Sequence, residues 1–255
     1  MKTYGNPIIN TTHFAAWSEA WGILREDEDD KYPSALYGFV CDEPKVASIP
    51  ERGSCYGYVV NGHAVTPNGI VRAGQFFQLP NGCPHIVILG CVFVVQRYGY
   101  LGYAYVGGPI EKKGRMRYID GCSDTLLVPP MIKGEPCFNH LHFPDKIDQT
   151  MHTHPSTRFG AVAGGEGWCW TPIGDTKLVK GLIFHIPKDG VHRFSTEHSH
   201  MDVIAYHPDS DFGPTHEVHP MINRTWVDGR SIDNTEDKHL SKENVINPWL
   251  PPALS

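Results

Sequence analysis

His152-Thr153-His154 and, thirty-eight residues further on (192 − 154), Ile186-Pro187-Lys188-Asp189-Gly190-Val191-His192 are the stretches on which the reading of this chain turns. In an extended strand alternate side chains share a face, so His152 and His154 point the same way. His192, supplied by a neighbouring strand, completes a set of three imidazoles. Neutral imidazole is a common ligand for late first-row divalent metals, and three of them leave coordination positions for water, dioxygen or a chelating substrate. Open positions point to chemistry more than to a structural ion.

The rest of the chain reads as strands and turns. Segments such as Tyr56–Val60, Gly69–Arg72, Gln75–Leu79, His85–Leu89 and Val92–Gln96 are rich in β-branched and aromatic residues and bounded by Asn, Gly and Pro, as are Phe138–Phe143, Phe159–Ala163, Gly167–Trp170, Leu182–Ile186 and Asp202–Tyr206. The 26 glycines and 21 prolines suit tight turns between short strands. Between Phe14 and Leu24 apolar residues fall at helical spacing, which predicts a short helix ahead of the acidic loop Glu26–Asp30.

A formal net charge of −6 with scattered Lys and Arg offers no basic stripe for a phosphate backbone, so nucleic acid is not an expected partner. No apolar run approaches the ~20 residues that span a bilayer, and no membrane association or secretion is expected. Seven cysteines without C-x2-C spacing predict free thiols in a reducing, cytoplasmic setting.

The histidine pattern resembles the cupin family, whose first motif is G-x5-H-x-H-x3,4-E-x6-G and whose second is G-x5-P-x-G-x2-H-x3-N. His152 and His154 stand as the H-x-H, Arg158 where the family has Glu, and Gly165 closes the motif. Gly181, Pro187 and His192 match the second motif, with Asp189 at the glycine place beside Gly190 and Thr196 for the final Asn. In the N-terminal half, Gly74, Pro80, Gly82 and His85 fit the second motif again, while no H-x-H precedes them. The chain therefore resembles a bicupin whose first half lacks a metal site.

This resemblance implies an all-β fold of two jelly-roll barrels in tandem. The expected organisation is an N-terminal helical and acidic segment (1–35), a degenerate barrel (36–110), a metal-binding barrel with its connection (111–212) and an extended C-terminal arm (213–255). It implies His152, His154 and His192 as metal ligands, with Fe(II) the expected ion and Mn, Ni, Zn or Cu as alternatives. The corresponding activity is a non-heme dioxygenase acting with dioxygen on a small carboxylate-bearing substrate. An isomerase or lyase using the ion as a Lewis acid, or a non-catalytic ligand-binding cupin, are the alternatives, and a homodimer is the family expectation.

Four further residues are candidates for catalysis. A guanidinium has no lone pair for a metal, so Arg158 either turns inward to pair with a substrate carboxylate or outward into a salt bridge. His140 and His142, a second H-x-H one strand earlier, are an alternative ligand pair or line the pocket as a proton shuttle. Gln149, three residues before His152 (152 − 149), faces the pocket or packs in the core. His198 and His200, a third H-x-H, are an alternative ligand pair but read better as surface residues, and His207 reads as a loop histidine near the barrel mouth.

Overall fold

The computed structural model describes residues 1–29, 31–219, 221–222, 225–228 and 230–231. The chain opens with β1 (Lys2–Thr3), β2 (Ile9–Asn10), β3 (Ala15–Trp17) and β4 (Trp21–Asp27). It continues through β5 (Ser34–Ala47), β6 (Gly53–Thr66), β7 (Gly69–Arg72), β8 (Phe76–Leu79), β9 (Ile86–Tyr98) and β10 (Tyr105–Gly107). After β11 (Met116–Arg117) come β12 (Ser123–Val128), β13 (Cys137–Phe143), β14 (Arg158–Thr171), β15 (Gly174–Val179), β16 (Ile183–Ile186), β17 (Arg193–Ser195) and β18 (Met201–His207). Apart from a 3-10 turn at Ile119–Gly121, the regular structure of the described residues is all β, as expected.

Two sheets account for these strands. One runs β1-β4-β5-β9-β6-β8-β10 with β7 on β6, and the other β11-β12-β13-β18-β14-β16-β3-β2 with β15 and β17 on β14. Val92, Phe93, Val94 and Val95 in β9 are all buried, the continuous apolar run of a strand covered on both faces. Between the sheets lies an aromatic layer in which Tyr56 and Phe93 of the first meet Phe138 of the second at ring separations of 6.0 and 5.7 Å, and Tyr56 meets Tyr206 at 5.2 Å. The opposite face of β13, β14, β16 and β18 surrounds a second core containing Phe143, Val162, Phe184 and Val203. A second unit begins at Pro214, and in it β19 (Trp226–Val227) pairs with β20 (Arg230–Ser231). Most of the arm expected over 213–255 lies outside the described residues.

The N-terminal helix is replaced by β3 and β4. Phe14, Ala15, Ala16 and Trp17 are all fully buried, so this segment has no solvent face of the kind an amphipathic helix needs. β3 instead pairs with β16, placing Ala15 and Trp17 in the inter-sheet core and Phe14 and Ala16 in the second core. An edge hydrogen-bonded by β16 and covered on both faces outweighs local helical spacing.

A buried polar chain fastens β4 to β16. Arg25 Nε donates to His185 Nδ1 at 3.2 Å, which leaves the ring proton on Nε2 facing Thr157 Oγ1 at 2.8 Å. Arg25 Nη1 also reaches Thr3 Oγ1 and Asn10 Oδ1, tying β1 and β2 to the same group. Burial, reinforced by Arg25, holds His185 well below its ordinary 6.5 and keeps it neutral. An unfolded His185 takes a proton near that value while the folded one does not, so the unfolded state binds more protons and stability falls as pH drops below about 6.5. The loss from this group should approach ~1.4 kcal/mol per pH unit. Urea midpoints measured between pH 7 and 5 should fall, and His185→Gln, which keeps an acceptor and a donor, should flatten that fall.

Candidate metal centre

Residues 149–154 run beside 189–194 ahead of β14. His152 and His192 exchange backbone bonds, N to O at 2.9 Å and 3.0 Å, and flanking bonds join Asp189 N to His154 O (2.9 Å) and Gln149 N to Phe194 O (3.0 Å). The regular strand expected near 150–154 is an isolated bridge between His152 and His192. This pairing, more than an extended ladder, sets the two histidine backbones side by side.

The three rings converge. Their centroids are separated by 5.1 Å (His152–His154), 4.5 Å (His152–His192) and 5.2 Å (His154–His192), and one nitrogen of each lies within 4.8 Å of the others. His192 Nδ1 lies 2.9 Å from Gly190 O, and His152 Nδ1 lies 2.7 Å from Thr150 O. A carbonyl only accepts, so both Nδ1 atoms carry protons and both Nε2 atoms present bare lone pairs. His154 is pushed down to about 3 by burial, then by the Arg158 guanidinium and the neighbouring imidazoles. His192 is pushed down to about 4 by burial, against the bond to Gly190 and with help from His152 and Arg158. At neutral pH both are uncharged and suited to ligate a cation.

The rings border a cavity of about 30 Å³ whose wall includes Leu141, Phe143, Phe184, Ile186 and Phe194. That volume suits an ion with one or two small ligands. Gln149 and Arg158 also line it. Gln149 is buried and its amide is engaged: Oε1 accepts from Phe194 N at 3.2 Å and Nε2 faces Cys122 Sγ at 3.6 Å. Arg158 is 9% exposed, with Nη1 donating to Ser156 O (3.1 Å) and Thr157 O (3.0 Å) and lying 3.8 Å from Asp209. It therefore combines an inward position with an acidic neighbour, and its buried Nε has no hydrogen-bond partner among the described residues.

No protein-family model matches the chain, and no curated protein matches it. Solved structures do. Protein Ylba from E. coli superposes with a TM-score of 0.56 at 14% identity, over 83% of this chain and 96% of that one. A putative glyoxylate induced protein from Pseudomonas aeruginosa gives 0.54 at 14%, over 80% of this chain and 83% of its own. The Cupin 2 conserved barrel domain protein from Leptotrichia buccalis gives 0.51 at 14%, over 81% and 97%. The chain has a cupin fold.

Two departures from the cupin motifs can be understood from the backbone. Asp189, at the usual glycine place, has φ 59°, a left-handed conformation that Asp tolerates better than most residues. Gly165 closes the first motif at φ 64°, where a Cβ would stand 1.8 Å from His200 O. His85, the cupin-motif histidine of the N-terminal half, is exposed, and among the described residues it belongs to no metal-capable cluster.

His140 and His142 do not line the cavity, which corrects their reading as its proton shuttle. Leu141 and Phe143 are the residues of β13 that border the cavity, and strand alternation puts His140 and His142 on the opposite face, where both contact Asp202. His207 is the residue missed. It ends β18 in phase with Val203 and Ala205, all three line the cavity, and burial, then Arg158 and His154, lower its basicity well below the usual range. Extending the 202–206 strand by one residue would have revealed it.

His13 is a second omission, from the segment read as helical. Its Nδ1 accepts from Val191 N at 3.1 Å, and its carbonyl lies where a Cβ on Gly190 would approach to 2.8 Å. It props the turn that carries His192. His13→Ala should fold and yet weaken metal retention about 10-fold, as outer-shell losses do, measured by competition with a chromogenic chelator.

Proposed function

We propose that this chain is a metal-dependent bicupin enzyme, with residues 36–110 and 111–212 as its two barrels and His152, His154 and His192 as the ligands of one divalent ion. The observation that carries this reading is the convergence of three imidazoles, two with Nε2 freed by backbone-bound Nδ1 protons, on one largely apolar cavity. Ferrous iron is the ion proposed, because a ligand set without a carboxylate keeps its dipositive charge and favours an anionic chelating substrate. When bound, it supplies a Lewis acid and a site for dioxygen chemistry.

The chain's own residues supply recognition. Arg158, with an unpartnered Nε, is suited to hold a substrate carboxylate, while the apolar wall excludes water around it. His207, held neutral and lining the same cavity, is placed to hydrogen-bond a bound substrate and relay a proton of that substrate. That residue favours one second reading, proton transfer in an isomerase or lyase without oxygen consumption. Seven buried free thiols accord with a reducing, cytoplasmic setting.

The test is elemental analysis of protein purified without chelators, beside a His152→Ala variant, followed by oxygen-uptake assays with carboxylate, catechol and thiol substrates. Iron that is lost in the variant, together with substrate-dependent oxygen uptake, supports the dioxygenase. Another metal lost in the variant and no oxygen uptake moves the assignment to isomerase or lyase. Metal content unaffected by His152→Ala overturns the site.

A further inference from the structure

On the other face of β13, away from the cavity, a second convergent set of ligand atoms occurs. His140 Nε2 lies 2.9 Å from Asp202 Oδ1 and His142 Nδ1 lies 2.8 Å from the same oxygen. His200 Nε2 lies 3.3 Å from Asp202 Oδ2. Strand geometry explains the set: His140 and His142 alternate onto one face of β13, and β18 pairs in a register that puts Asp202 directly opposite His142. His200 is the residue just before β18, and its ring stacks on that of His142 at 5.9 Å.

We infer that His140, His142 and Asp202, whose donor atoms all lie within 4.8 Å of one another, form a second divalent-metal site of the zinc type, with His200 an outer contact of Asp202 at its mouth. Neighbouring donor atoms on an ion with bonds of about 2.0–2.1 Å stand roughly 3.0–3.4 Å apart, and the separations around Asp202 are of that order. Two imidazoles and one carboxylate, with a fourth position open to water from the cleft, are a set suited to Zn²⁺ or Co²⁺. The carboxylate is conditioned for the role: burial alone would raise Asp202, but the bonds from His140 and His142 outweigh it and keep the group ionised.

Access and burial are graded as a binding site requires. His140 is fully buried, His142 and Asp202 are partly buried, and the exposed His200 borders an open cleft of about 810 Å³ shared with Lys112, Asp145 and His198. An ion entering from the cleft takes the ring nitrogens that now face Asp202 once each imidazole has moved its proton to its other nitrogen, so the rings stay neutral and no proton is lost. The second ring nitrogen of His140 is buried without a partner among the described residues, so no outer contact among them fixes its tautomer. The site therefore binds less tightly than the three-histidine centre, whose His152 and His192 are both anchored.

The experiment is a Co²⁺ titration followed by visible absorption in the His152→Ala/His192→Ala protein, in which the first centre is removed. One Co²⁺ per chain with a four-coordinate spectrum is expected. Adding Asp202→Asn should weaken that binding by about 100-fold or more, and adding the surface change His200→Ala by about 10-fold with the fold unaffected. Absence of Co²⁺ binding in the double variant, or binding indifferent to both Asp202→Asn and His200→Ala, overturns the inference. Should the double variant not fold, the wild-type chain decides it: two Co²⁺ falling to one in His142→Gln supports the site, and an unchanged stoichiometry overturns it. The three-histidine reading fails separately, by metal content that ignores His152.

Discussion

His154→Ala and His192→Ala proteins should emerge from purification without the ion proposed for the three-histidine centre, while His85→Ala should keep it in full. Losing an outer contact of a ligand already costs about 10- to 100-fold in affinity, and losing a ligand itself should cost at least ~100-fold. Neither variant is expected to unfold the chain, because His154 is partly exposed and the loop bonds of His192 are made by its backbone. His85 is the internal control: it holds the same motif place in the N-terminal half, yet it is exposed and outside any described cluster of metal-capable groups. Metal content by elemental analysis, with circular dichroism to verify folding, distinguishes the outcomes. Retention by His154→Ala would sink the ligand assignment, and loss in His85→Ala would mean that the ion sits elsewhere.

Trp17→Ala should be among the most damaging single changes. Trp17 is fully buried in the inter-sheet core, pairs with Ile183 across β3 and β16, and donates from Nε1 to Tyr4 O at 3.1 Å. Truncating a large buried aromatic side chain costs about 3–5 kcal/mol. In a chain of this size that corresponds to a fall of about 10 °C in Tm. Calorimetry should show the fall; the exposed Trp21, at 44%, gives the comparison, since Trp21→Ala should shift Tm by only a degree or two. Equal shifts would mean that β3 contributes little to the second sheet.

What the sequence disclosed was the part encoded locally. Runs of β-branched and aromatic residues bounded by Asn, Gly and Pro marked β6, β8, β9, β13, β16 and β18, and the spacing of His152, His154 and His192 announced three rings that do meet. Gly165 and the residue at the Asp189 position were legible because a backbone requirement leaves a trace in residue type. What stayed hidden depended on pairing. The side of β13 taken by His140 follows from its register with β18, and Phe14–Trp17 became a strand because β16 offers an edge 166 positions later (183 − 17). Arg158 gave no clue to its direction, since its facing and its proximity to Asp209 are set by tertiary contacts.

The partnership of β3 with β16 also has a consequence in time. During synthesis Phe14 and Trp17 emerge well before the strand that covers them, whose Ile183 follows Trp17 by 166 positions (183 − 17). At about 5–20 residues per second this leaves those two aromatics unpartnered for roughly 8–33 s. The nascent chain thus carries an apolar segment that must be kept from other chains until β16 appears. A fragment beginning after residue 110 would lack β3 altogether, leaving β16 with an unpaired edge and Phe184 without Phe14 stacked 5.6 Å away.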